Sequence, residues 1–130
     1  LALILADTDV LIDYLKGIQP AAERIRSYAA AQSLRTSAVS CFELLSGADQ
    51  GKQGEEVRLL VSTLPVLPLD LESAARAAGV RRNLATRGLP IGMGDSLVAG
   101  IALANGLHLL TRNRKHFQEV EGLHLVSLDH

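Results

Sequence analysis

Short apolar runs alternate with longer stretches of helical periodicity along the whole chain. Leu3 to Ala6 reads as a buried strand, and Asp9 to Lys16 as a helix that stops at Gly17, with Thr8 as the expected N-cap. Pro20 suits the first turn of a second helix running to about Ala31. Arg35 to Val39 is the next strand candidate. Ser40 and Glu43, spaced Ser-x-x-Glu ahead of Leu44 and Leu45, have the form of a capping box opening a third helix. Gly47, Gly51 and Gly54 mark residues 47–54 as a loop or an irregular helix end. Glu55 to Leu64 has helical spacing, and Val66-Leu67 between two prolines reads as a short edge strand.

The second half repeats the pattern. Asp70 to about Arg87 is a long Ala-rich helix, in which Gly79 costs about 1 kcal/mol relative to Ala. Gly88 to Gly94 is a loop, and Gly94 or Asp95 starts a helix that ends at Asn105-Gly106. His108 to Thr111 is a strand, Asn113 to Val120 a short polar turn or helix, and Leu123 to Ser127 a last strand. Strands alternating with helices predict an α/β domain with a mainly parallel sheet. The 130 residues suit a single domain over 1–130, with one sizeable core.

In such a sheet, ligands bind beyond the carboxyl ends of the strands. Asp7 follows the first strand, Ser40 and Glu43 follow the second, and Asn113 follows the strand His108 to Thr111. Asp95 opens the helix that feeds that strand. A carboxylate beside apolar segments is costly unless it meets water, a helix N-terminus or a cation. Asp7, Glu43 and Asp95 together would supply the oxygen ligands that Mg²⁺ or Mn²⁺ takes. Like charges held together repel until a cation neutralises them, and a metal-activated water suits attack on a phosphate ester. Each acid also has a plainer explanation. Asp7 fits an N-cap, Asp9 a first-turn acid, Glu43 the capping box and Asp95 a helix-start acid. Singly these suffice, but they do not explain why all four fall at one edge.

Composition narrows the picture. Two Tyr, two Phe and no Trp leave an aliphatic core and little material for stacking bases on aromatic platforms. A net charge of -1 gives no general pull toward nucleic acid. Basic residues nevertheless concentrate late, at Arg76, Arg81, Arg82 and Arg87, then at Arg112, Arg114 and Lys115. The single Cys41 excludes an intramolecular disulfide and suits a reducing compartment. The apolar opening is interrupted by Asp7 and Asp9, and the run Leu97 to Leu110 is short for a bilayer and carries Asn105 and His108. A soluble cytoplasmic protein, with no membrane association, is expected.

The segments ADTDVLIDYLKG (6–17), TSAVSCFELLSG (36–47), IGMGDSLVAGIALANGLHLLTRNRKHF (91–117) and GLHLV (122–126) resemble the PIN-domain ribonucleases. They are most similar to the toxin component of VapBC toxin–antitoxin systems. The resemblance implies a three-layer αβα sandwich with a central parallel sheet, and Mg²⁺- or Mn²⁺-dependent endonucleolytic cleavage of structured RNA. It also implies dimers and inhibition by a small VapB-type antitoxin. The family's acids correspond to Asp7, Asp9, Glu43 and Asp95. Where many relatives read Thr-x-Asp, this chain reads Thr111-Arg112-Asn113, and where others carry a later acid it has His116. On this resemblance Asp7 and Asp95 are metal ligands, and Glu43 is a ligand or orients the attacking water. Asp9 acts behind them, Thr8 or Ser40 holds water or phosphate, and Thr111 and Asn113 bond to metal-bound water. Arg112, Arg114, Lys115 and His116 are candidate RNA contacts.

Two alternatives stand beside this reading. Asp7-Thr8-Asp9 also fits a haloacid-dehalogenase-like phosphatase, although Leu11 stands where that motif has Thr and Glu43 is left idle. The missing last acid permits a domain of the same fold that binds RNA or an antitoxin with little cleavage. For the partner, the helices near Ala21–Ala31 and Glu55–Leu64 carry enough apolar residues to form a groove for an amphipathic helix.

Overall fold

The computed structural model of the chain describes residues 2–129. Its strands are β1 (Ile4–Ala6), β2 (Leu34–Ser37), β3 (Val66–Leu67), β4 (His108–Leu110) and β5 (Leu125–Val126). They form one sheet in the order β3-β2-β1-β4-β5, with every neighbouring pair parallel. Between them lie α1 (Thr8–Lys16), α2 (Ala21–Ala30), α3 (Ala38–Ser46), α4 (Lys52–Thr63), α5 (Leu71–Thr86), α6 (Met93–Asn105) and α7 (Arg114–Phe117).

Side chains alternate across the sheet with the period of two that a strand imposes. Ile4, Ala6 and Leu110 join Val10, Leu11, Ala21, Ile25 and Leu44 on the face covered by α1 to α4. Leu5 and Leu109 join Val80, Leu84, Val98, Ile101 and Phe117 on the face covered by α5 to α7. The result is the αβα sandwich. The central strand β1, sheathed on both sides, is an unbroken apolar run, whereas its neighbour β2 buries the polar Thr36 and Ser37 at its carboxyl end. Each fully buried Leu or Ile contributes about 1.5–3 kcal/mol. Phe117 is the bulkiest of the fully buried side chains.

Two close approaches set how the layers meet. A methyl group on Gly100 of α6 would run into the Ser73 carbonyl and into Ala77, so α5 and α6 pack backbone to backbone there. At the sheet edge, Thr36 Oγ1 donates to the Ala6 carbonyl at 3.1 Å and the Asp7 amide donates to the Leu110 carbonyl at 3.0 Å. The exit of β1 is therefore tied to both neighbouring strands.

The helix starts depart from expectation at four places. Asp7, not Thr8, is the N-cap of α1, accepting from the Thr8 amide at 2.9 Å. Ser37, not Ser40, caps α3, its hydroxyl accepting from the Ser40 amide at 3.0 Å. The Ser40–Glu43 spacing is thus no capping box: β2 ends at Ser37, and the chain is already helical through Ala38 and Val39. Helix α6 begins at Met93 with Gly92 as its cap, which leaves Asp95 in the first turn. Helix α4 likewise starts at Lys52, inside the expected loop.

Candidate active site

The chain leaves β1 toward β2 and β3 on one side and returns to β4 on the other, so the strand order reverses between β1 and β4. The crevice at the carboxyl ends of those two strands is where open α/β sheets take ligands. Asp7 and Asp9 follow β1, Thr111 follows β4, and all three meet there.

Asp7 is 5% exposed. Its Oδ1 accepts from the Thr8 amide, and its Oδ2 accepts from Thr111 Oγ1 at 2.8 Å. Burial, the most important cause, and then the negative charge of Asp9 push its carboxyl up to about 6; the Thr111 and Thr8 bonds oppose the rise, and Asp95 adds to it. Asp9 is also raised, chiefly by burial, against the bonds it accepts. Its Oδ2 takes the Arg112 amide at 3.0 Å, and Thr111 Oγ1 lies 3.3–3.4 Å from both of its oxygens. Asp9 thus fixes the turn after β4, and Thr111 links the two acids.

Glu43 and Asp95 approach from the helices on either face. With no capping duty, Glu43 reaches across to α1, where Thr8 Oγ1 donates to its Oε1 at 2.6 Å. Its other oxygen lies 3.7 Å from the position of a Cβ on Gly94, so it borders the first turn of α6. Asp95, in that turn, has its Oδ2 2.8 Å from His116 Nδ1. Asn113 is the N-cap of α7 without a side-chain cap bond, and its amide donates to Thr111 Oγ1 at 3.1 Å.

The remaining candidates divide. Ser40 is fully buried and its hydroxyl has no protein partner, so it does not reach water or phosphate at the site. Arg112 Nε pairs with Asp13 Oδ2 at 2.7 Å, and Arg114 Nη1 donates to the Val126 carbonyl at 3.1 Å. Both guanidinium groups thus brace the fold. Lys115 and His116 instead line an open recess beside Asp95. Sequence reasoning missed Asp13, a buried acid that anchors Arg112. Its signal was the spacing of four from Asp9, which puts both on one face of α1.

The carboxylate oxygens of Asp7, Glu43 and Asp95 are the groups at this edge that could hold a hard divalent cation. Among the described residues no three His, Cys, Asp or Glu side chains form a ready-made cage. Glu43 is engaged by Thr8 and Asp95 by His116. An all-oxygen donor set around Asp7, whose carboxyl is raised first by burial and then by the charge of Asp9, has the chemistry a cation needs, once it competes with those two protein partners.

Residues 4–123 match the model of the PIN domain. The chain belongs to the PIN domain family. Among relatives of this PIN domain, the tRNA(fMet)-specific endonuclease VapC of Shigella flexneri is 32% identical over 121 residues, covering 90% of this chain and 91% of the relative. Ribonuclease VapC10 of Mycobacterium tuberculosis (strain ATCC 25618 / H37Rv) is 36% identical, covering 93% and 90% respectively. The crystal structure of DNA-bound VapBC from Salmonella typhimurium superimposes with a TM-score of 0.83 at 27% identity, covering 98% of this chain and 99% of that one. This PIN domain is of the VapC type, whose named relatives are ribonucleases. That membership displaces the phosphatase alternative, as does Asp9, whose carboxylate is occupied by the Thr111–Arg112 turn. Among the described residues no helix is long and apolar enough to cross a membrane.

Proposed function

We propose that this PIN domain is a divalent-metal-dependent endoribonuclease acting on structured RNA, and the toxin half of a toxin–antitoxin pair. The observation that carries the reading is the gathering of acids at the switch point: Asp7 is buried and bonded to Thr111, and Glu43 reaches the first turn of α6 that carries Asp95. Asp7, Asp95 and Glu43 would hold Mg²⁺ or Mn²⁺. When bound, the ion would activate water and offset charge on the phosphoryl oxygens. Thr111 keeps the Asp7 carboxyl oriented, and Asp9 keeps the Thr111–Arg112 turn in place. Asn113 brings a neutral amide where an acid would add charge. Lys115 and His116 would meet phosphate oxygens beside Asp95.

Surface features support the partners. A groove of about 410 Å³ between α1, α2 and α4 is lined by Tyr14, Leu15, Leu59 and Leu60 among others. Leu59 is 65% exposed there. An adjoining recess bounded by Ile12, Leu15, Leu44 and Val57 includes Glu43. An amphipathic antitoxin helix in the groove would have a short path to the acids. Phe42 and Met93, 70% and 65% exposed, border a second apolar groove and suit self-association into a homodimer.

Calorimetric titration with Mn²⁺ at pH 6, in two buffers of different ionisation enthalpy, tests the metal reading. Because Asp7 is raised to about 6, binding is expected to release protons at pH 6 and progressively fewer toward pH 8. No binding to the wild type, or equal binding to Asp7→Asn, would count against it. The neutral Asn113 favours one competing reading, a PIN domain that binds RNA without cutting it. Unchanged RNA binding in EDTA with no cleavage in Mn²⁺ would establish that reading instead.

A further inference from the structure

Next to the carboxylates, and sharing Asp95 with them, lies a chamber of about 440 Å³ whose apolar wall has no part in the chemistry described so far. Its walls are Leu84, Leu89, Pro90 and Ile91, and its polar edge is Asp95, Lys115, His116 and Glu119. The volume falls within the ~300–1,000 Å³ of sites that take small organic groups.

The chamber is built. Gly88, at φ +72°, turns the chain out of α5, and the Leu89 amide donates back to the Leu84 carbonyl at 2.8 Å. Arg87 bonds Glu119 at 3.0 Å through both its carboxylate and its carbonyl, fastening the loop to the turn after α7. Leu89 is left 41% exposed. An apolar wall braced by an ion pair, with Lys115 beside the carboxylates of Asp95 and Glu119 at its edge, suits an occupant that has flat apolar faces and a polar rim. It must also reach the chamber while its backbone phosphate lies at the carboxylates.

Resting on the ribonuclease reading above, we infer that this chamber receives the base of a nucleotide flanking the scissile phosphate. Leu89, Pro90 and Ile91 contact the face of the base, and Lys115 meets the adjoining phosphate. A base in a stacked duplex cannot enter such a recess, so the nucleotide must be unpaired or extruded. The site then selects substrate by the accessibility of one base, and Leu89 becomes a specificity-determining residue outside the carboxylate cluster.

The test uses an oligoribonucleotide substrate in Mn²⁺, scanned with a single abasic ribose at each position near the cut. Wild-type kcat/KM is expected to fall about tenfold or more at one flanking position and little elsewhere. In Leu89→Glu, cleavage of the intact substrate should fall by a similar factor, and the abasic substitution should then cost less than about twofold. If no abasic position costs the wild type more than about twofold, the inference is overturned whatever the variant does. It is overturned equally if the abasic and Leu89→Glu losses multiply independently. If the wild type cuts no RNA, the ribonuclease reading fails first and takes the inference with it.

Discussion

Asp7 holds the tension of the site in one side chain. Its folded-state carboxyl titrates near 6, against an ordinary value of 3.8. The folded protein therefore binds more protons than the unfolded chain between those values, and stability falls as pH rises through that window. The shift corresponds to at most about 3 kcal/mol. Metal-free protein should accordingly melt several degrees lower at pH 7.5 than near pH 5, a trend that thermal scans across pH would check. Asp7→Asn should flatten the trend and raise Tm at pH 7.5, because an amide still caps α1 without a buried charge. The same variant should lose about 100-fold or more in RNA cleavage. A variant both more stable and inactive would mark Asp7 as a residue kept for chemistry. Asp7, Asp9 and Asp95 were legible in the sequence because each lies where a strand ends or a helix starts, whereas Glu43 was picked out by a capping-box spacing that the structure does not use. Their partners were not: Thr111 bonding Asp7 and Arg112 pairing with Asp13 join residues about a hundred positions apart, which only the sheet brings together.

The helix caps show where local reading failed. Ser40 and Glu43 match a capping box by spacing, yet Ser37 has the same chemistry three residues earlier and sits where β2 ends. Tertiary register chose between two serines that propensity could not separate. Ser37→Ala should therefore destabilise by about 1 kcal/mol. Ser40→Ala, which removes a buried hydroxyl without a protein partner, should be neutral or slightly stabilising. Urea midpoints for the two variants would decide the matter, and the reverse order would contradict this assignment of the cap. With no capping duty, Glu43 is left to the site role that the sequence had offered beside the capping box. Between α5 and α6, Gly100→Ala should cost about 2–4 kcal/mol, because the added methyl has only backbone and the Ala77 side chain to displace. Sequence alone marked Gly79 as the odd residue in this helical pair. A methyl on Gly79 would meet only the far end of Arg82, so the constraint lies at Gly100 instead.

At the scale of the molecule, the alternation of strands and helices was enough to predict an α/β domain and the edge at which the acids gather. The order β3-β2-β1-β4-β5 was not readable, because strands of two to four residues carry too little pattern to choose their neighbours. That order matters, since it puts the switch point between β1 and β4 and so brings Asp7 and Thr111 together. It also brings α6 across from α3, so that Glu43 borders the turn carrying Asp95. The recess lined by Leu89, Pro90 and Ile91 was invisible for a similar reason, being made by a loop whose shape depends on Arg87 reaching Glu119. The central claim is that this constellation cuts RNA with the help of a divalent ion. Its most direct test is incubation of partner-free protein with total tRNA and rRNA in Mn²⁺ and in EDTA, beside Asp95→Asn prepared identically. Discrete cuts that require metal and vanish in the variant are the predicted result. Cleavage that persists in EDTA or in Asp95→Asn, or its absence from a folded, metal-binding wild type, would contradict the account.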